Sequence, residues 1–186
     1  MRTTAPGQSA LLLLDAVEVL TREGINYAVI GAMAASIHGI VRASFDADAV
    51  LSLGSSKARD VQRAFQDAGF HTELRTGDVE DPIPALLQIT DEFANRVDLL
   101  VGLRGLEAEA FSRAIEVPFK EMTLKVVGKE DFIAMKAFAG GPQDLADAAN
   151  AVAIAGSLDV ELVTRLAKRY GPDAATNLEK LLSTNK

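Results

Sequence analysis

The sequence predicts an α+β fold, in which a mixed β-sheet with flanking helices is followed by a C-terminal helical region. Up to about residue 127, short apolar runs of strand length alternate with segments whose apolar residues recur at helical spacing. From residue 129 onward the strand-like runs stop, and helical segments are separated by glycine and proline breaks. We therefore predict an α/β core over residues 1–127 and a helical region over residues 128–186 that packs on the core.

The first part of the chain predicts helices and strands in alternation. Ser9 is a good N-cap, apolar residues follow it at helical spacing, and Gly24 ends the pattern, so we expect a helix over 9–23. The apolar and partly β-branched run 26–31 predicts a buried strand. The same criteria predict a short helix over 33–38, a strand over 45–53, a helix that begins after Ser55 and ends at Gly69, and a strand over 70–74.

The next segment predicts a β-hairpin. A loop rich in glycine, aspartate and proline (76–84) precedes two apolar runs, 85–90 and 96–101, which flank a five-residue turn. Asp98 therefore lies in the second strand of the hairpin. The later elements are a short helix over 107–113, a strand over 122–127, and three or four helices with breaks at 140–142, 156 and 171–172.

The composition is that of a folded, soluble protein, with 48% hydrophobic and 24% charged residues among 186. Cysteine is absent, so a metal ion has to be held by oxygen ligands or by the two histidines, which favours a hard cation. The net charge of -7 argues against a broad nucleic-acid-binding surface. It is still compatible with a local basic strip that binds nucleic acid, such as Arg96, Arg104 and Arg113. We find no signal-peptide pattern and no apolar run that could cross a bilayer, so we expect a cytoplasmic location without membrane contact.

Three aspartates are the candidates for a metal site. Asp46 and Asp48 are two positions apart on a predicted strand, so both side chains project from the same face. Two carboxylates so close repel each other and need a cation, a shared proton or generous hydration. Asp98 lies in an otherwise apolar strand, where an isolated carboxylate is costly unless it has a partner. A divalent cation shared by all three would meet both needs, and oxygen ligands favour Mg²⁺ or Mn²⁺.

Gly31 and Ala32 are the candidate phosphate site. The sequence Ile30-Gly31-Ala32 ends a predicted strand and opens a helix, a place where free backbone N–H groups and the helix dipole attract phosphate. A simpler interpretation of Gly31 is that the turn itself needs a glycine. The phosphate and metal candidates converge on one site.

The spacing of these residues resembles the signature of the DNA polymerase β-like nucleotidyltransferase superfamily. In that pattern a hydrophobic-Gly-Gly/Ser turn precedes an Asp-x-Asp/Glu strand, and a third aspartate lies on a later strand. The segments of this chain that carry the resemblance are Ile30-Gly31-Ala32, Asp46-Ala47-Asp48 and Val97-Asp98-Leu99.

The surrounding sequence is similar to the AbiEii-type, or minimal nucleotidyltransferase, toxin branch. The similarity rests on segments 39–48, 129–136 and 143–147 and covers about residues 26–151. Ala32 departs from the pattern because Gly or Ser is usual there, and the change removes a hydroxyl or some backbone freedom near the phosphates. Gln143 also departs, since a basic residue is frequent at that position.

The resemblance implies transfer of a nucleoside monophosphate from an NTP to an acceptor, with release of pyrophosphate. The three aspartates would hold two Mg²⁺ or Mn²⁺ ions, and Asp98 would help to remove the acceptor proton. Arg42, just before the metal strand, and Lys136, on an otherwise apolar helix, would join Gly31 and Ala32 in binding the nucleotide.

Several acceptors and one non-enzymatic role stay open. The toxin-like branch implies RNA, such as a tRNA end, or a protein hydroxyl as acceptor, and a neutralising antitoxin as partner. An aminoglycoside-type small molecule would use the same metal site with a different acceptor pocket. Because of Ala32, a catalytically weak, nucleotide-binding regulatory protein is a further alternative.

Each candidate residue also has a purely structural interpretation. Asp46 and Asp48 could form a solvated strand end, and Asp98 could bond to backbone N–H groups. Arg42 could pair with a surface carboxylate, and Lys136 could extend its alkyl chain along the core. The joint spacing of the aspartates with the glycine turn favours the functional interpretation.

Overall fold

The computed structural model describes residues 1–78 and 80–184. Its strands are β1 (Tyr27–Ile30), β2 (Asp46–Leu51), β3 (His71–Thr76), β4 (Ala85–Thr90), β5 (Arg96–Val101), β6 (Ile115–Phe119) and β7 (Met122–Val126). Its α-helices are α1 (Ser9–Arg22), α2 (Gly31–Ile37), α3 (Ala58–Asp67), α4 (Lys129–Ala139), α5 (Pro142–Ile154), α6 (Val160–Tyr170) and α7 (Pro172–Thr184). Two short 3-10 helices cover Ser55–Lys57 and Ala108–Phe111.

The strands form one seven-stranded mixed sheet in the order β3-β4-β5-β2-β1-β7-β6. β2 pairs with β5 in parallel, and β1 pairs with β7 in parallel. The remaining neighbours are antiparallel. The predicted hairpin is confirmed as β4 and β5, and its second strand lies beside β2 near the centre of the sheet.

The described chain forms two compact units. The sheet unit comprises Met1–Met33, Ala43–Arg104 and Ile115–Val126, and it contains all seven strands. The helical unit comprises Ala34–Arg42, Gly105–Ala114 and the chain from Val127 onward. The predicted boundary at residue 127 stays a prediction. The helical unit also includes two segments that precede residue 127, Ala34–Arg42 and Gly105–Ala114. A single boundary in the sequence cannot describe them.

The two faces of the central strands differ in burial. The odd-numbered residues of β2 and β5 are fully buried, and α1 packs against both strands through a leucine-rich surface. The even-numbered residues up to Asp48 on β2 and Leu100 on β5 are only partly buried. Because side chains alternate across a strand, one face of the sheet forms the core and the other is available to polar groups.

Within the helical unit, α4 contacts α5, α6 and α7. Phe132, Ile133 and Ala137 of α4 are at most 1% exposed, so this helix forms the centre of the unit. Gly140 ends α4 with a φ of +67°, a conformation that glycine adopts without a Cβ clash. The Asp159 carboxylate caps α6 by accepting a hydrogen bond from the Leu162 N–H.

The sequence-predicted α+β fold with its mixed sheet is confirmed. Two local predictions were wrong. The predicted helix over 107–113 is a short 3-10 helix, Ala108–Phe111, and strand β6 was missed because it is largely exposed and contains Pro118. Positions 185 and 186, which fall in the predicted helical region, and position 79, in the predicted loop, lie outside the described residues. No helix among the described residues is long and apolar enough to span a membrane.

A buried charge network holds the segment Gly105–Ala114 within the helical unit. Arg113 donates from Nε and Nη2 to the two carboxylate oxygens of Asp131, each at 2.7 Å. Glu107 accepts hydrogen bonds from Arg165 at 2.6 and 2.9 Å, and its carboxylate lies 2.8 Å from Arg113 Nη1. The hydrogen bonds from Arg165, followed by those from Arg113, lower the pKa of Glu107 to about 2.

Replacing Glu107 with glutamine is expected to lower the free energy of unfolding at neutral pH by roughly 1.5–3 kcal/mol, the usual contribution of hydrogen bonds to charged groups. The pKa of this carboxyl falls from an ordinary 4.5 to about 2 on folding. Its contribution is therefore complete above pH 4.5 and is lost as the pH falls toward 2. Urea unfolding over this range should show the difference between wild type and Glu107→Gln shrinking as the pH falls.

Glu109→Gln is the matched control, because Glu109 is exposed and only two positions away. This variant should unfold like wild type at every pH. A stability difference for Glu107→Gln that does not change with pH would contradict the assigned role of the carboxylate.

Candidate functional site

The parallel register of β2 and β5 brings the three predicted aspartates together. Asp48 lies directly opposite Asp98, and Asp46 lies directly opposite Arg96. Neighbouring strands are about 4.8 Å apart, and side chains two positions apart share a face. Asp46, Asp48, Asp98 and Arg96 therefore all project from the partly exposed face of the sheet.

The Arg96 guanidinium is shared between two of the carboxylates. Its Nη2 donates to Asp46 Oδ2, and its Nε lies 3.5 Å from Asp98 Oδ1. Asp46 also accepts a hydrogen bond of 2.6 Å from the Ser44 hydroxyl. The Ser44 hydroxyl, and after it the Arg96 guanidinium, hold the pKa of Asp46 below its ordinary value. Asp46 is therefore ionised at neutral pH.

Asp98 is oriented from the other side by β4. Gln88 lies directly opposite Asp98 in the β4–β5 pair, and its Nε2 donates to Asp98 Oδ1 at 3.2 Å. The Asp98 side chain is 14% exposed, so it reaches solvent although apolar residues flank it in sequence. The sequence suggested that this carboxylate needs a partner, and Gln88 together with Arg96 supplies one.

Gly31 packs against the Asp48 carboxylate. A Cβ built on Gly31 would lie 2.1 Å from Asp48 Oδ2 and 2.9 Å from Asp48 Cγ. The residue also has a φ of +65°, which side chains rarely tolerate. The turn therefore needs glycine both for its backbone conformation and because a carboxylate lies against it. Ala32, the next residue, is 4% exposed.

The donor set on this face suits a hard divalent cation. Three carboxylates on adjacent strands can offer up to six oxygens, and Mg²⁺ and Mn²⁺ prefer such ligands. In the part of the chain that the structure describes, no three carboxylate or imidazole side chains are arranged so that they could hold a metal ion. Arg96 supplies positive charge beside Asp46 and Asp98.

Arg42 and Lys136, the two predicted phosphate contacts, lie together in the helical unit. Lys136 Nζ donates to Asp144 Oδ1 at 2.6 Å and lies 3.1 Å from Asp147 Oδ2. Arg42 Nε lies 3.2 Å from the same Asp147 oxygen. The Asp147 side chain is 0% exposed, and that of Lys136 is 9% exposed. Both cations are thus paired with carboxylates of α5.

Asp147 is ionised although it is buried. Burial raises the pKa of this carboxyl, but the Gln143 hydrogen bond and the charges of Lys136 and Arg42 outweigh it and lower the pKa below its ordinary value. Gln143 Nε2 donates to Asp147 Oδ1 at 2.9 Å. In the sequence, Gln143 stands out only as a departure from the family pattern, whereas in the structure it is a hydrogen-bond donor to Asp147.

Sequence reasoning missed the roles of Arg96 and Gln88 at the carboxylates. Arg96 was considered only as part of a basic surface strip. The pattern Arg96-Val97-Asp98 repeats the alternation of Asp46-Ala47-Asp48, but pairing the two patterns requires the register of β2 with β5. That register joins segments far apart in the chain and is not visible in either segment alone.

No protein-family model and no protein of curated function matches the sequence. Solved structures do match its fold. TM1012 from Thermotoga maritima, a candidate nucleotidyltransferase, superposes with a TM-score of 0.57 and 16% identity, over 75% of this chain and 89% of that one. The lincosamide antibiotic adenylyltransferase LnuA with bound lincomycin has a TM-score of 0.51 and 12% identity, over 82% of this chain and 99% of that one.

A third similar structure is ANT(2'')-Ia in complex with adenylyl-2''-tobramycin. It superposes with a TM-score of 0.57 and 14% identity, over 87% of this chain and 98% of that one. At these identities the likeness establishes the fold, and the chain accordingly has the fold of nucleotidyltransferases. The resemblance to the AbiEii-type branch stays a prediction.

Gly31→Ala is expected to lower the free energy of unfolding by more than the roughly 1–2 kcal/mol that a left-handed backbone costs a residue with a Cβ. The extra cost arises because the Asp48 carboxylate has to move away from the new methyl group. Urea unfolding of the variant measures the total loss.

Gly24→Ala is the control for that experiment, since Gly24 has a φ of +66° with nothing within 4 Å of its would-be Cβ. It reports the backbone cost alone. Adding Asp48→Ala to Gly31→Ala should recover part of the extra loss. Equal losses for the two glycine variants would rule out a close contact at Gly31.

Lys136→Met is expected to destabilise the protein by about 3 kcal/mol, because it leaves the buried Asp147 carboxylate with Arg42 as its remaining cation. Thermal or urea unfolding measures the loss. Lys168→Met is the control, since Lys168 is an exposed helical lysine. If both variants were equally stable, the Lys136 ammonium would not be held by Asp147.

Proposed function

We propose that the protein is a metal-dependent nucleotidyltransferase, which moves a nucleoside monophosphate from an NTP to an acceptor and releases pyrophosphate. The observation that carries the proposal is the convergence of Asp46, Asp48 and Asp98 on one partly exposed sheet face. This convergence occurs in a chain that has the fold of nucleotidyltransferases. The Gly31 turn lies against the Asp48 carboxylate.

The three aspartates are the proposed ligands of Mg²⁺ or Mn²⁺, two ions in all. When bound, these ions would neutralise charge on the triphosphate and make the acceptor hydroxyl easier to deprotonate. Asp98 is the proposed acceptor of the hydroxyl proton; its hydrogen bond from Gln88 and its access to solvent support this role.

The proposed reaction forms one bond between the acceptor oxygen and the α-phosphorus. The bond between the α-phosphorus and its bridging oxygen to the β-phosphate breaks, and pyrophosphate leaves with that electron pair. The acceptor hydroxyl loses its proton to Asp98. The protein forms no covalent bond, so its role is positioning and stabilisation of charge.

Gly31, Ala32, Arg42 and Lys136 are the proposed nucleotide-binding residues. Gly31 lets its backbone approach the Asp48 carboxylate closely because it carries no side chain. Arg42 and Lys136 contribute positive charge, which Asp144 and Asp147 balance. The Asp144 side chain is 30% exposed, whereas that of Asp147 is 0% exposed. A phosphate group could therefore replace Asp144 as the partner of Lys136 more easily than it could replace Asp147.

The first proposed acceptor is RNA, such as tRNA, or a protein hydroxyl. With this acceptor the protein would act as a toxin, and a neutralising antitoxin would be its partner. A small cationic antibiotic is the second candidate. Two structures of similar fold contain such compounds or their adenylylated product, lincomycin and adenylyl-2''-tobramycin. A net charge of -7 also suits a cationic amino sugar better than a polyanion.

The test is incubation of the purified protein with each α-labelled NTP and Mg²⁺, with tRNA, cell extract or tobramycin as acceptor. Wild type is expected to transfer label to one acceptor class. Asp48→Ala should reduce transfer by roughly 100-fold or more, because loss of a metal ligand should cost at least as much as loss of its supporting residues.

Asp67→Ala serves as the matched control, because Asp67 is an exposed aspartate at the end of α3. It should transfer label like wild type. Binding of Mg-NTP without any transfer would favour the regulatory alternative. Absence of both binding and transfer would refute the enzymatic proposal.

A further inference from the structure

Arg96 is a cation in direct contact with the proposed metal ligands, so its charge opposes metal binding. It lies opposite Asp46 in the β2–β5 register and two positions before Asp98 on the same face of β5. Its guanidinium contacts both carboxylates, with Nη2 bonded to Asp46 and Nε at 3.5 Å from Asp98. A divalent cation held by the same two carboxylates would have to occupy the space that the Arg96 guanidinium fills. It would also take over the neutralisation of their negative charge.

The contact of Arg96 with Asp98 is incomplete. Its Nε is buried and has no hydrogen-bond partner among the described residues, because Asp98 is too far away for a good bond. The Arg113–Asp131 pair of the helical unit differs, since both of its bonds are 2.7 Å long. An unsatisfied donor lowers the cost of moving the guanidinium away.

The Arg96 side chain also has room to leave. It is 42% exposed, whereas the side chains of Asp46 and Asp98 are 26% and 14% exposed. A partly exposed guanidinium can rotate into water and keep its solvation, so its departure costs chiefly the ion pair with Asp46. A partly exposed ion pair contributes little to stability, so a bound divalent cation can displace it.

We propose that Arg96 is a built-in counter-cation, which neutralises Asp46 and Asp98 in the metal-free protein and has to be displaced when the metal ion binds. This inference rests on the proposed metal site. Arg96 then acts as a positioning residue: it balances the charge of the two carboxylates, and it weakens the affinity of the site for free metal ions. By linkage, the ion pair and the metal weaken each other by the same factor.

The test is direct titration of the protein with Mn²⁺, followed by the electron paramagnetic resonance signal of the free ion. Arg96→Gln should bind Mn²⁺ about tenfold more tightly than wild type, a usual size for coupling between competing sites. Without metal, the same variant should melt at a lower temperature, because the carboxylates lose their counter-cation. Its melting temperature should rise more on addition of Mn²⁺ than that of wild type.

Arg75→Gln is the matched control. Arg75 lies on the same sheet, and its replacement removes the same charge. It is paired with Glu73 at 2.8 Å and acts on Asp98 only through a coulombic interaction, without a hydrogen bond or ion pair to the three aspartates. Its Mn²⁺ affinity should stay close to that of wild type. Arg96→Lys keeps the charge, and its affinity should fall between wild type and Arg96→Gln. If Arg96→Gln folds poorly, Arg96→Lys still tests whether weakening the ion pair raises the Mn²⁺ affinity.

The outcomes separate this inference from the proposed function. If wild type binds Mn²⁺ and Asp98→Asn does not, the metal site stands. Unchanged or weaker binding by Arg96→Gln then overturns the role of Arg96 alone. Equal tightening in Arg96→Gln and Arg75→Gln also overturns it, because net charge would explain the effect. If wild type and every arginine variant fail to bind Mn²⁺, the proposed metal site fails, and the role of Arg96 fails with it.

Discussion

The parallel pairing of β2 with β5 is the constraint on which the candidate site depends. Both strands bury their odd-numbered residues in the core beneath α1, so a shift of the register by one position would turn apolar side chains to solvent. The core therefore fixes the register. The same register places Asp48 opposite Asp98 and Asp46 opposite Arg96. Packing of apolar residues on one face thus determines where the carboxylates meet on the other.

Carboxylates brought together in this way need compensation, and neighbouring strands supply it. Ser44 and Arg96 act on Asp46, while Gln88 on β4 acts on Asp98. Asp48 lies against the backbone of Gly31, where any side chain would collide with it. These polar groups offset the repulsion between the neighbouring carboxylates, so the carboxylates can lie close together on this face.

Local sequence patterns were sufficient for most elements and for placing the three aspartates on strands. Apolar periodicity and glycine breaks identified the strands, the hairpin and the C-terminal helices, because these features depend on residues close in sequence. Strand β6 lacked that signal, since it is exposed and interrupted by Pro118. The contacts of Arg96 with Asp46, of Gln143 with Asp147 and of the segment Gly105–Ala114 with the helices depend on tertiary pairing. A single sequence does not reveal which distant segments pair.

The two groups of carboxylates in this protein differ in how far they are exposed to solvent. In the helical unit, Asp131 receives two short hydrogen bonds from Arg113, and the fully buried Asp147 has Gln143, Lys136 and Arg42 around it. Such charges are costly to unpair, so they stabilise one conformation. Among the described residues, unsatisfied atoms occur in both groups: Arg96 Nε on the sheet face, and Arg42 Nε and Asp147 Oδ2 in the helical unit. The sheet-face carboxylates differ in that they are partly exposed, at 26% for Asp46 and 14% for Asp98, against 0% for Asp147. Access to solvent eases the exchange of one cation for another, which the proposed metal site requires and a buried ion pair resists.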